Sequence, residues 1–399
     1  MKLKHFFFGS LLSIFAIGFS SCDDGNGDNP GTDSDTMSAQ NNRLTQSEYD
    51  LLSYYVNDIV IYTYNNLANK AITFKEKVDA LVQTPSDANV QAACEAWRSA
   101  REDWEYSEAF LFGTASDQHI DPHMDSWPLD NTRLAALLAS NTFSDIDDPE
   151  ERADFLRENY NNAMMGFHAA EYVIFASGAA KSASLITSEE LAYLQAVALV
   201  LAEDCCRLKA GWSGESGLTS AQREIYDRIS EDYGVNDRCG FQMLQAGQVA
   251  SKYASFTDAV TEILGGCQDI INEVGTTKME DPIAKNSVLE VESWYSWNSI
   301  DDFQNNIRGV IAAYTGKNSA GPSVQSLVKA KNSALDNKII SQCNNAINFL
   351  EGIRTTYGSY RNLVSSLGSN GHNDPNVSGA QAALADVNDA LGVAMGYEY

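Results

Sequence analysis

Basic residues are scarce in this chain: 27 Lys and Arg stand against 54 Asp and Glu, for a formal charge of −27. A surface of that sign repels phosphate backbones, which argues against nucleic-acid binding. It suits cationic partners, metal ions among them, although colloidal solubility is the more common reason for such a charge. No Cys-x-x-Cys pair occurs, which argues against a zinc–thiolate cluster or a thioredoxin-like dithiol. His-Glu-x-x-His, Gly-x-Ser-x-Gly, P-loop and dinucleotide fingerprints are missing too. Alternating Val/Ile/Thr strands are also lacking, and past residue 19 no apolar run approaches the roughly 18 to 20 residues of a spanning helix.

The start carries a different signal. Lys2 and Lys4 precede an apolar stretch from about Phe6 to Phe19, then Ser20, Ser21 and Cys22. Residues 1–21 are expected to be a secretory signal peptide, with Cys22 becoming the lipidated first residue. Losing Lys2 and Lys4 takes the mature charge from −27 to −29. Residues 22–44 are rich in Gly, Asp, Asn and Ser, and read as a flexible tether. An acidic run after a lipidated cysteine resembles the export signal of surface lipoproteins. The expected location is the cell envelope, lipid-anchored to the outer membrane, on its periplasmic or its surface face. The six other cysteines, Cys94, Cys205, Cys206, Cys239, Cys267 and Cys343, admit one or two disulfides in an oxidising compartment, or remain free buried thiols.

From Thr45 on, long segments carry apolar residues at helical spacing: roughly 45–82, 86–113, 150–178, 187–212, 220–233, 240–275, 299–315, 334–366 and 375–396. Thr45 with Glu48, Ser86, and Ser188 ahead of Glu189 and Glu190 read as helix starts. Gly113, Gly178, Gly316 and Gly368 read as stops. The expected class is all-α. This length exceeds what one core usually covers, so two bundles of about four long helices each are expected, at 45–215 and 240–399, joined by a segment at 216–239.

Three constellations carry candidate chemistry. In GFHAAEY, His168 and Glu171 are one helical turn apart, so both can meet one ion or form a structural pair. Gly166 is costly inside a helix and suggests close approach of another backbone. In WRSAREDWEYSE, Arg98 with Glu102 and Arg101 with Glu105 are spaced as i,i+4 ion pairs. Glu108 has no basic residue four places away and sits before an apolar helix end, where a carboxylate needs a partner. In HIDPHMDSWPLD, two prolines and three aspartates rigidify a loop that holds His119, His123, Asp125 and Ser126, with Trp127 and Leu129 as a hydrophobic plug. A catalytic zinc needs three protein ligands, and here the third would come from His119, His123 or Glu108.

Together these stretches resemble the imelysin family of bacterial envelope proteins, which includes insulin-cleaving membrane proteases and iron-regulated proteins. GFHAAEYVIF is similar to its G-x-H-x-x-E motif, WRSAREDWEYSEAFLFG to its aromatic helix, and DPHMDSWPLD to its loop; KMEDPI and ESWYSWNSIDDFQNNIRGVIAAYTG resemble segments of its second half. The resemblance implies two helical domains with the motif facing a cleft, and an association with iron uptake. The implied site is His168 and Glu171 with Arg101, Glu105 and Glu108 of the aromatic helix, and Asp125, Ser126 and Trp127 of the loop. Arg98, Ser296 and Arg308 are further candidates. Three functions follow: binding of iron or another divalent or trivalent metal, with envelope iron-uptake partners; a zinc peptidase with Glu171 as its catalytic group; or a metal-free site for a peptide or partner. The missing second histidine of His-x-x-Glu-His, where Tyr172 stands, counts against the peptidase.

Overall fold

A computed structural model describes residues 43–317 and 321–399. The expectations for residues 1–21 and for most of the tether, Cys22 included, lie outside the described residues.

The described chain is all-α, with one two-residue hairpin. Thr45 caps the first helix reciprocally with Glu48, as expected. That helix, α1 (Gln46–Tyr54), runs through a π-helical stretch into α2 (Tyr62–Gln83), and α3 (Asp87–Ser107) starts at Ser86. Short helices α4 (Thr114–Asp117), α5 (Ile120–Met124) and α6 (Asn131–Leu138) follow, then α7 (Pro149–Asn159) and α8 (Gly166–Ile174). One helix over 150–178 was expected. The chain instead leaves the helix at Tyr160 and re-enters at Gly166, and Phe175–Ala176 pairs with Ala179–Ala180 around Gly178.

The next helix, α9 (Ser188–Ser213), is capped by Thr187 with Glu190, one residue before the expected start, and is buried on every face. A helix buried all round is a core helix. The expected 220–233 and 240–275 helices are each broken, into α10 (Ser220–Asp227) with α11 (Ser230–Tyr233) and α12 (Cys239–Leu244) with α13 (Phe256–Glu273). After α13 come a π-helical turn, Val274–Lys278, and α14 (Glu280–Ala284). The last helices are α15 (Ser299–Thr315), α16 (Val324–Lys331), α17 (Ser333–Tyr357), α18 (Tyr360–Leu367) and α19 (Pro375–Met395).

Helix α2 packs on α3 and α9, while α13, α15, α17 and α19 pack on one another; α3 also packs along α15. The described residues form one compact unit over one continuous apolar core, and a division into two bundles at 216–239 is not confirmed. The six cysteines from Cys94 to Cys343 are buried and free, which leaves the thiol alternative and no disulfide among them.

Candidate functional site

Helix α3 presents Arg101 and Glu105, and the 3-10 turn that follows it (Glu108–Phe110) presents Glu108, toward α15, α8 and the loop after α5. Arg101 is fully buried. Its Nη1 donates to Asp125 Oδ1 and its Nη2 to Glu292 Oε1 at 2.8 Å, with Glu105 Oε1 in ion-pair contact and Asp302 Oδ1 3.7 Å from Nε. Burial alone would lower its pKa, but Asp125, Glu105, Asp302 and Glu292 hold it well above the ordinary value. Arg98, expected to pair with Glu102, instead reaches Asn298 Oδ1 and the carbonyls of Ser296 (2.8 Å) and Gly178 (3.3 Å), tying α3 to the loop before α15.

Gly166 has φ +80°, and a Cβ there would lie 2.1 Å from the Met124 carbonyl oxygen. Glycine thus lets the start of α8 touch the end of α5, which brings His168 against Asp125. His168 Nδ1 lies 3.0 Å from Glu171 Oε2, and the Ser296 N–H donates to Glu171 Oε1 at 2.7 Å. The two motif residues therefore meet each other, and Glu171 stands behind the imidazole rather than beside it at a shared ion. The other ring nitrogen, Nε2, is 3.0 Å from Asp125 Oδ1 and 3.9 Å from Glu292 Oε1, yet it has no aligned hydrogen-bond partner. The Trp127 ring packs on the imidazole, 4.6 Å between centroids, and Trp104 Nε1 donates to Asp125 Oδ2 at 2.6 Å. Burial and Arg101 oppose protonation of His168, but contact with Asp125 and Glu171 outweighs them and raises its pKa to about 9. Burial opposes ionisation of Asp125 too; Arg101 and His168 reverse that and hold its carboxyl well below the usual range.

Glu108 finds its partner 170 residues away. Lys278 Nζ donates to Glu108 Oε2 at 2.8 Å and to Glu292 Oε1 at 3.3 Å, and lies 3.5 Å from Glu105 Oε2. Asn306 Nδ2 donates to Glu105 (2.7 Å) and Glu108 (3.0 Å). Burial raises Glu105 to about 8, with Arg101 and Lys278 only partly offsetting it, raises Asp302 to about 6, and together with Glu105 lifts Glu108 well above the carboxylate range. Six buried carboxylates, Glu105, Glu108, Asp125, Glu171, Glu292 and Asp302, thus face Arg101, Lys278 and His168. Glu292 Oε2 and Asp302 Oδ2 are buried without a hydrogen-bond partner.

Two groups have ligand atoms within 4.8 Å of one another: Asp125 with His168 and Glu292, and Glu105 with Glu108 and Asp125. A cavity of about 340 Å³ opens on both, lined by Glu108, Asp121, Asp125, Ser126, Trp127, Lys278 and Glu292 among others. A larger cavity of about 770 Å³ shares Glu108, Leu111 and Glu273 with it. Ser126 lines the smaller cavity, its Oγ donating to the Pro122 carbonyl.

Other candidates lie elsewhere. His119 is exposed at the head of α5. His123 pairs with Asp204 in a separate buried network with Arg157 and Glu203. Arg308 is exposed and bonds Gln304 and Asn305 on its own helix. Ser296 contributes its backbone rather than its hydroxyl, which donates to the Ser293 carbonyl. Lys278, Glu292, Asp302 and Asn306 were not singled out from the sequence, although KMEDPI and ESWYSWNSIDDFQNN contain all four.

The chain is 28% identical over 344 residues to Iron-regulated protein A of Synechococcus elongatus, across 84% of this chain and 83% of that protein. Among solved structures, one described as an iron-regulated protein A precursor, from Parabacteroides distasonis, is 29% identical with a TM-score of 0.72, covering 88% of this chain and 95% of that one. An imelysin-like protein from Psychrobacter arcticum shares the fold at 14% identity and a TM-score of 0.52, over 88% of this chain and 92% of its own. The Imelysin family model matches residues 60–391, most of the length over which these helices and the buried polar junction are built, and the chain belongs to the Imelysin family.

Proposed function

We propose that this is an envelope lipoprotein, held to the outer membrane by lipid on Cys22, that binds an iron species or another hard cation at the Asp125–His168–Glu292 junction in support of iron uptake. The observation that carries this reading is the imidazole. Glu171, fixed by the Ser296 N–H, grips Nδ1 from behind, and Nε2 points without an aligned partner at two carboxylates. A carboxylate that orients a histidine from the far side is the usual second layer of a metal site. One imidazole with several carboxylates and no thiolate suits hard or borderline cations, iron among them.

Charge supports the fit. Six carboxylates against Arg101, Lys278 and His168 leave the junction negative unless protons or a cation balance it. Burial makes Glu105 and Glu108 hold protons that an incoming cation would release. Arg101 opposes the ion by like charge, so the ion's own charge must outweigh that repulsion. The names of the relatives, iron-regulated protein A, agree with an iron-linked role.

A zinc peptidase with Glu171 as general base finds less support, because both Glu171 oxygens are engaged and the residue is fully buried behind His168. The test is thermal unfolding of the full chain with ferric citrate or Zn²⁺. Saturation at about 100 times Kd is expected to stabilise the wild type by about 2.7 kcal/mol, and His168→Ala or Asp125→Asn to abolish the effect. No shift with either metal would favour a metal-free partner site. Chelator-sensitive cleavage of a denatured polypeptide that His168→Ala abolishes would favour the peptidase.

A further inference from the structure

Two side-chain cations occupy the carboxylate junction, and they are held in different ways. Arg101 is sealed: it has no exposure, springs from the middle of α3, and touches four carboxylates. Lys278 is also buried, but it borders open space. It ends the π-helical turn Val274–Lys278, and its side chain lines the cavity of about 340 Å³. Its ammonium contacts Glu105 and Glu108 of one ligand group and lies 3.3 Å from Glu292 Oε1, an oxygen of the Asp125–His168–Glu292 group that would hold the ion. An ammonium and a bare ion in that group compete for the same oxygens.

We infer that Lys278 is a tethered cation that fills the outer carboxylate position and must withdraw for a metal ion to enter, making it the residue that selects multivalent over monovalent ions. This rests on the metal-binding reading above and adds the residue that governs access to that site.

Three observations carry it. First, the lysine has somewhere to go: Asp121, Glu273 and Asp281 line the same cavity, so the ammonium can move along the wall without losing its counter-charge. The flexible four-carbon stem of lysine allows such a swing, which the planar arginine fork does not. Second, the vacated carboxylates stay in place, because Asn306 Nδ2 bonds both Glu105 and Glu108 and carries no charge. Third, a tethered group competes at a high effective concentration, so a free ion of equal charge gains nothing by replacing it. Na⁺ and K⁺ are therefore excluded, whereas a divalent or trivalent ion gains two or three times the Coulomb attraction at the same oxygens.

The test uses the full chain, with Zn²⁺ and Ga³⁺ as redox-inert probes. By calorimetry, Lys278→Met is expected to bind either ion at least about tenfold more tightly than wild type, and Lys278→Arg, which keeps the charge, no more tightly. In the wild type, acetylation of Lys278 followed by mass spectrometry is expected to be slow without metal and to accelerate about tenfold at saturation, as the ammonium leaves its carboxylates. The acetylation result decides alone if Lys278→Met does not fold. If the wild type binds an ion but Lys278→Met binds no more tightly, or Lys278 stays equally protected at saturation, the gate is overturned while the site stands. If neither wild type nor Lys278→Met binds either ion, the metal site and its gate both fall.

Discussion

Replacing Arg101 by methionine removes the charge while keeping most of the volume, and so isolates what the guanidinium does. Asp125, Glu105, Glu292 and Asp302 would lose their shared counter-ion in a place where no water replaces it. Breaking a buried ion network from one side costs about 3–5 kcal/mol. The unfolding entropy of about 2.1 cal/mol/K per residue over roughly 360 residues comes to about 0.75 kcal/mol/K, so Tm should fall by about 4–7 °C at pH 7.5. The deficit should shrink toward pH 5. Burial already lifts Glu105 to about 8 and Asp302 to about 6, from ordinary values of 4.5 and 3.8. Groups raised in this way contribute stability that is present below the unfolded value and is lost as pH rises through the folded one. Without Arg101 both are raised further, and the loss with rising pH steepens. Calorimetric Tm values for both proteins at pH 5, 6.5 and 7.5 test this. A variant as stable as wild type at pH 7.5 would refute the reasoning, as would a deficit independent of pH: either result would mean that desolvation of Arg101 costs as much as its pairing returns.

Three further outcomes are expected. Wild-type stability should fall between about pH 6.5 and 9, because contact with Asp125 and Glu171 outweighs burial and raises His168 above its unfolded value; His168→Gln should make the fall in a Tm–pH profile shallower, leaving the part due to Glu105. Glu171→Gln should weaken metal affinity about 10- to 100-fold in calorimetry while leaving some binding, since it orients Nδ1 rather than holding the ion. Cys22→Ala should abolish incorporation of labelled palmitate, and equal labelling of the variant would remove the anchor.

Apolar spacing and caps located several of the long helices. Helices α9, α15 and α19 run close to the expected bounds because caps at Thr187 and Asp374 and the stop at Gly316 act within one turn of the chain, whereas α3 starts at Ser86 as expected but ends at Ser107, before the expected stop at Gly113. The breaks were less legible. Around Tyr160–Met165 the sequence still looks helical, and the chain leaves the helix because Gly166 must adopt φ +80° against Met124, a contact made by residues about 40 positions apart. The 240–275 segment failed likewise: apolar residues before Phe256 belong to α12 and a loop, not to the amphipathic α13.

The site divides along the same line between local and distant causes. Short-range spacing brought His168 and Glu171 together, and it gave Arg101 its Glu105. It could not say that Glu171 faces away from the cavity, because that depends on Ser296, 125 residues later. Nor could it name Lys278 or Glu292. Yet Glu108 signalled them: an acidic residue with no basic neighbour at helical spacing, beside an apolar helix end, must find compensation from elsewhere in the chain. The compensation proved incomplete, since Glu108 still holds its proton well above the ordinary carboxylate range with Lys278 in contact. A structural salt bridge would be built to cancel its charges. Here Glu105 and Glu108 hold protons that a cation would displace, the other four carboxylates still outnumber Arg101, Lys278 and His168, and an imidazole nitrogen and a Glu292 oxygen lack aligned partners beside a cavity lined by Asp125 and Glu292, a set of groups that a cation would complete.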